Sequence, residues 1–156
     1  MASAARLKSY LDQQAVEYEL IPHPHTENSM ATAAAAHVPG DRLAKAVIVS
    51  RDGEYLMVVV PSDFHVHLGL LHRYLGEEVG LATEREVVQL FPDCEEGAVP
   101  PVGAAYGLRT LLDSTLLDEP EIFFESGDHA SLIRVNGDQF RELFRGAEHI
   151  DVAQHI

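Results

Sequence analysis

Two β-prone runs, Leu43 to Ser50 and Glu54 to Val60, flank Arg51-Asp52-Gly53. No other feature constrains the fold as tightly. Asp and Gly tolerate the positive φ angles that a two-residue reversal demands, so Asp-Gly between such runs specifies a tight hairpin. A hairpin fixes antiparallel pairing and register locally, and any architecture for this chain must therefore hold a sheet at residues 43–60.

The rest of the chain supplies helices and further strands. Leu7, Leu11 and Ala15 recur at helical spacing after Ser3 and predict an amphipathic helix over residues 4–14, followed by a strand from Val16 to Ile21. Beyond Pro22-His23-Pro24, Ser29 is suited to cap a helix running to about His37, which Val38-Pro39-Gly40 ends. A helix from about Val66 to Leu75 and a short strand at Glu78 to Leu81 come next. Thr83 then opens a helix, Glu86 completes a capping box, and Phe91-Pro92 stops it. Gly97, Pro100, Pro101, Gly103 and Gly107 break the stretch from Pro92 to Gly107, which reads as a long loop of the kind that often carries function. Strands at about Leu108–Leu112, Glu121–Glu125 and Ser131–Val135 precede a last helix at about Asp138–Phe144. Hairpins mixed with helices indicate an α+β fold.

With 156 residues, 46% of them hydrophobic, the whole chain is expected to form a single domain, 1–156. No stretch approaches the roughly 20 consecutive apolar residues of a membrane span, and the first residues lack a signal peptide's pattern, so the expected location is cytoplasmic, with no membrane partner. The lone Cys94 forms no internal disulfide. Eleven basic residues against 25 acidic leave a net charge of −14, the wrong sign for gripping DNA or any polyphosphate along its length. Contact with a nucleic acid must then be local, such as a pocket for a single-stranded end.

Lys45 interrupts the apolar run Leu43-Ala-Lys-Ala-Val-Ile-Val49. It either faces solvent on an edge strand, where lysine discourages aggregation, or does chemistry. Lys8 and Lys45 are the only lysines, the other basic residues being arginines, so a compact ammonium at this place could matter where a guanidinium fork would not serve. Gly97-Ala-Val-Pro-Pro101 is either a rigid turn or a support for backbone N–H groups aimed at an oxyanion or a water. His129, after Gly127-Asp128, lies at a strand mouth or on a surface turn. His65 and His67 share a face if extended, with His72 close by, but no cysteine pair or spaced ligand motif accompanies them and no metal is expected. Asp93, Glu95 and Glu96 surround Cys94 with charge that suppresses a thiolate.

Three segments together resemble the YbaK/ProX aminoacyl-tRNA deacylase family, also found as an editing domain inserted in bacterial prolyl-tRNA synthetases. They are the hairpin with Lys45, Cys94-Glu-Glu-Gly-Ala-Val-Pro-Pro101 with its Gly-x-x-x-Pro pattern, and Leu111-Leu-Asp-Ser114 with Ile122-Phe-Phe-Glu-Ser-Gly-Asp-His129 and Leu132-Ile-Arg-Val135. The resemblance implies a mixed, barrel-like central β-sheet surrounded by helices. It also implies a trans-editing hydrolase that deacylates mischarged aminoacyl-tRNA without a cofactor, the partners being the tRNA acceptor end and a synthetase. Lys45, Gly97 and Ala98 would carry catalysis, while Pro100, Pro101, Gly127 and His129 would bind the substrate. Two departures stand out: Asp93 where many members have glycine, and His67 where an aspartate is common. A non-catalytic module holding the same aminoacyl end, or a hydrolase of another small acyl ester, remains an alternative.

Overall fold

The computed structural model describes residues 4–25 and 29–155, without the side chains of residues 29, 30 and 155. Ser3 and the capping side chain expected at Ser29 therefore lie outside the described residues. The first helix, α1 (Ala5–Gln13), buries Leu7 and Leu11, and Ala15 reverses the chain at φ 54°. Val16 is consequently drawn under the helix end, its N–H donating to Leu11 O at 3.1 Å, and β1 begins later than expected, at Glu19–Pro22. After α2 (Ser29–Ala36) come β2 (Leu43–Arg51) and β3 (Glu54–Pro61), paired antiparallel from Ala44 opposite Pro61 to Arg51 opposite Glu54. Asp52 and Gly53 turn the hairpin at φ 48° and 80°, both positive as the sequence requires.

The next segment holds β4 (Phe64–Val66), α3 (Leu68–Leu75), β5 (Gly80–Leu81) and α4 (Glu84–Leu90), the last with the Thr83–Glu86 capping box in place. The breaker-rich stretch is ordered and includes a 3-10 turn at Gly103–Tyr106. It leads to β6 (Arg109–Asp113), β7 (Glu121–Glu125), β8 (Ser131–Asn136) and α5 (Gly137–Leu143). Three short strands, β4 and the later β9 (Glu148–Ile150) and β10 (Ala153–His155), were not expected, because three residues with polar members carry no periodicity.

The sheet runs β1-β8-β7-β2-β3-β6-β9, with β5 on β2 and a separate β4–β10 pair. Pairing is mixed: β2–β7, β3–β6 and β6–β9 are parallel, the other pairs antiparallel. The α+β class holds, but among the described residues β1 and β9 do not pair, and the sheet stays open instead of closing into a barrel. In β3, Met57 and Val59 join the core beneath α1 and α5, whereas Leu56, Val58 and Val60 join the one beneath α3. Burial on both faces explains why this strand reads as an unbroken apolar run. No helix among the described residues is long and apolar enough to cross a membrane.

Candidate functional site

Parallel pairing of β2 with β7 covers only Leu43–Phe123 and Ala44–Phe124, and β5 meets β2 only at Val49 and Ser50. Between these contacts, residues 45–48 have a strand neighbour on one side alone, and a cleft of about 780 Å³ opens there. Lys45, Ala46, Val47 and Ile48 of β2, Gly97 and Val99 of the breaker-rich loop, and the buried Glu125 and His129 line it. The cleft is thus a local failure of sheet pairing, with side chains from three distant segments closing in on it.

Lys45 is half-buried, and its Nζ donates to Ser62 O at 3.2 Å. Burial draws its pKa below the ordinary lysine value, while the charge of Asp63 works in the opposite direction. Gly97 has φ 81°, a conformation that glycine adopts without strain. Two tethers hold its loop against the Gly127 turn: Glu95 N–H to Gly127 O at 2.7 Å and His129 Nε2 to Glu96 O at 2.6 Å. Among the described residues no hydrogen bond takes up the N–H of the exposed Gly97. The Ala98 N–H, expected to act beside it, is engaged by Glu95 O at 3.0 Å, and Ala98 is wholly buried. Ala98 closes the turn that presents Gly97.

Lys45, Gly97 and His129 therefore meet at one cleft, whereas Ala98, Pro100, Pro101 and Gly127 are buried and not among its lining residues. Gly127 is closely enclosed by other segments. A side chain there would come within 2.9 Å of Ala4 Cβ and 3.4 Å of Cys94 Sγ, at φ 113°. The adjoining Asp128 accepts from Ala130 N–H at 2.9 Å, Ser131 N–H at 3.0 Å and Ser126 Oγ at 3.1 Å. Burial alone would push this carboxyl up, but these donors outweigh it and hold the pKa below the usual value. The locked turn sets His129 at φ 56°, a left-handed backbone uncommon outside glycine.

Glu125 escaped the sequence analysis. It is 4% exposed, and both oxygens lack a hydrogen bond of ordinary geometry. Burial raises its pKa, against the opposing influence of Thr32, His129 and His23. A charged residue ending the apolar run Ile122-Phe-Phe is the same signal that marked Lys45. Glu84, Glu95, Glu96 and His25 also reach the cleft, with His25 Nε2 3.2 Å from Glu95 Oε1 and its ring 5.6 Å from that of His129.

Cys94 lies behind the loop. Burial, reinforced by the charge of Asp93, pushes its thiol up to about 12. Asp93 accepts from Tyr106 Oη at 3.1 Å and from the Arg6 N–H at 3.1 Å, so the acid standing in place of glycine brackets the base of the loop. His67 accepts the Leu70 N–H at Nδ1, 3.1 Å away, and caps α3; an aspartate would do the same. His72 Nε2 bonds Val79 O at 2.8 Å and His65 is exposed. Among the described residues no three His, Cys, Asp or Glu are grouped to hold a metal ion.

The family model of the aminoacyl-tRNA editing domain matches residues 23–143. The crystal structure of a candidate trans-editing enzyme for prolyl tRNA synthetase is 25% identical, with a TM-score of 0.84 over 99% of this chain and 98% of that one. A hypothetical protein is 24% identical, with a TM-score of 0.84 over 96% of this chain and 99% of that one. A structure from the computational grafting of epitopes onto scaffold proteins is 23% identical, with a TM-score of 0.83 over 100% and 99%. The last two show the fold alone. No curated protein matches.

Proposed function

This chain belongs to the aminoacyl-tRNA editing domain family, and from that premise we propose that it is a trans-acting deacylase that releases amino acids from mischarged tRNA. The observation carrying this reading is the meeting of Lys45, Gly97 and His129, from three separate segments, at the break in the sheet. Residues 1–156 act as one domain, and the work is done in the cytoplasm, where tRNA is charged.

Water adds to the ester carbonyl carbon, whose oxygen takes the electron pair. As the tetrahedral intermediate collapses, the bond to the ribose oxygen breaks, that oxygen leaves with one proton of the water, the second proton passes to solvent, and the free amino acid remains as a carboxylate. The Gly97 N–H is the donor for the carbonyl oxygen as it turns anionic, fixed in direction by the two tethers of its loop. Lys45 holds the terminal phosphate of the acceptor end or the carbonyl, as a compact positive charge at the wall. His129 keeps the loop in place and lines the amino-acid end. No side-chain base is assigned, and the ribose hydroxyl of the substrate assists the proton transfer.

Single-turnover assays on tRNA charged with alanine, serine, cysteine or threonine, with prolyl-tRNA carrying its cognate amino acid as control, test the reading. Ester loss from at least one mischarged species and sparing of the control is expected. Binding without ester loss would make the chain a recognition module instead. Four carboxylates at the cleft against one lysine favour a second reading, a hydrolase for small aminoacyl esters. Failure of intact tRNA to compete with such an ester would select it.

A further inference from the structure

The buried polar atoms left unsatisfied beside the cleft are all acceptors. His129 Nε2 stands 2.6 Å from the Glu96 carbonyl, which can only accept, so Nε2 carries a proton and Nδ1 is the ring nitrogen left to accept from a ligand. His129 is 3% exposed, and among the described residues Nδ1 has no partner. His23, close enough to act on Glu125, repeats the arrangement: Nδ1 donates to Pro24 O at 2.7 Å and the buried Nε2 is left bare. Glu125 adds two buried oxygens that accept only, once ionised, and Thr32, the side chain that offers them a hydrogen bond, leaves most of their acceptor capacity open. Lys45 does not answer them, being held by Ser62 O and by the charge of Asp63.

Such a set is complementary to a ligand with several N–H donors, a positive charge and no acceptor, which describes an ammonium group. A metal ion fits less well, since these side chains are not grouped as ligands. Glu84, Glu95 and Glu96 add negative charge around the same cleft and oppose an anion in that position. Resting on the proposed deacylase reading, we infer that Glu125, with His129 lining the same cleft, receives the α-ammonium of the aminoacyl ester and thereby selects acyl groups bearing a free amine. The amine end of the acyl group then points to Glu125, and the ester carbonyl lies toward Gly97 and Lys45.

Non-hydrolysable 3′-amide analogues of alanyl-adenosine and lactyl-adenosine provide the test, because lactate replaces the ammonium by a hydroxyl at nearly the same volume. Calorimetric titration of the wild-type protein should show the alanyl form bound at least about tenfold more tightly, the scale of one hydrogen bond to a charged group. Glu125→Gln should weaken alanyl binding to the level of lactyl and leave lactyl binding unchanged. Equal wild-type affinity for the two forms would overturn the inference while leaving the deacylase reading intact. A preference that survives in Glu125→Gln would also overturn it, by moving recognition elsewhere. Binding of neither form, with no ester loss from any charged tRNA, would bring down both. The wild-type comparison stands even if the variant fails to fold.

Discussion

Two groups of histidines in this molecule differ in one respect. On the α3 side, His67 and His72 each have a ring nitrogen paired with a backbone group, as a helix cap and as a link to Val79 O. At the cleft, His129 is tied by one nitrogen to the Gly97 loop, while the other is buried and unanswered. The first pair holds helix ends and turns in place, and nothing about it calls for a ligand. The second leaves a polar atom desolvated without compensation, which a fold tolerates where a ligand completes the set. Residue type does not separate the two, since histidines of both groups stand out in the sequence, His65 and His67 by their spacing and His129 by its place after Gly127-Asp128. Hydrogen-bond satisfaction does.

The largest expected effect lies at the wall of the cleft. Lys45→Ala should remove deacylation below detection in a protein that still unfolds cooperatively, and Lys45→Arg should recover little of it. Near-normal turnover in folded Lys45→Ala would defeat the assignment. Gly97→Val should follow, because valine at φ 81° redirects the N–H, and loss of one such donor typically costs on the order of 100- to 1,000-fold in rate. A well-folded Gly97→Val with full single-turnover activity would remove the backbone donor from the mechanism.

The contrast between histidines predicts opposite signatures. His129→Ala should slow ester loss by roughly tenfold, the scale of one hydrogen bond anchoring the loop. His67→Ala should leave the rate alone and cost about 1 kcal/mol of stability, as for a lost helix cap. Exchange of these outcomes, read from paired rate and denaturation measurements, would break the comparison. Smallest of all should be Cys94→Ala, whose thiol is pushed up to about 12 by burial and takes no part as a nucleophile. A folded but inactive Cys94→Ala would restore it as a candidate.

What was legible in the sequence is what local chemistry specifies. Asp52-Gly53 fixed the hairpin, Thr83 and Glu86 fixed a helix start, and the apolar run from Leu56 to Val60 announced a strand buried on both faces. The short strands at Phe64–Val66, Glu148–Ile150 and Ala153–His155 owe their existence to partners far along the chain and carry no pattern of their own. Val16 was misplaced because the positive φ of Ala15 folds it back under α1, a reversal that alanine does not advertise. At the site, Lys45, Gly97 and His129 were within reach, since each interrupts its surroundings. The engaged N–H of Ala98 was not, because direction within a turn depends on which carbonyl closes it. Glu125 was legible by the same reasoning as Lys45 and was passed over.

The Ala4 N–H bonds Ser126 O at 2.8 Å, and Ala4 Cβ fills the space that a side chain at Gly127 would need. The turn that carries His129 is thereby braced by the start of α1, and β1 pairs along β8 in the same late region. These contacts join residues more than a hundred positions apart, so they close long loops and form late relative to the hairpin. A ribosome must therefore have made nearly the whole chain before the cleft can take shape. A nascent fragment containing Lys45 and the Gly97 loop, but not the segment after Glu121, lacks Glu125 and His129 and cannot complete the lining of the cleft.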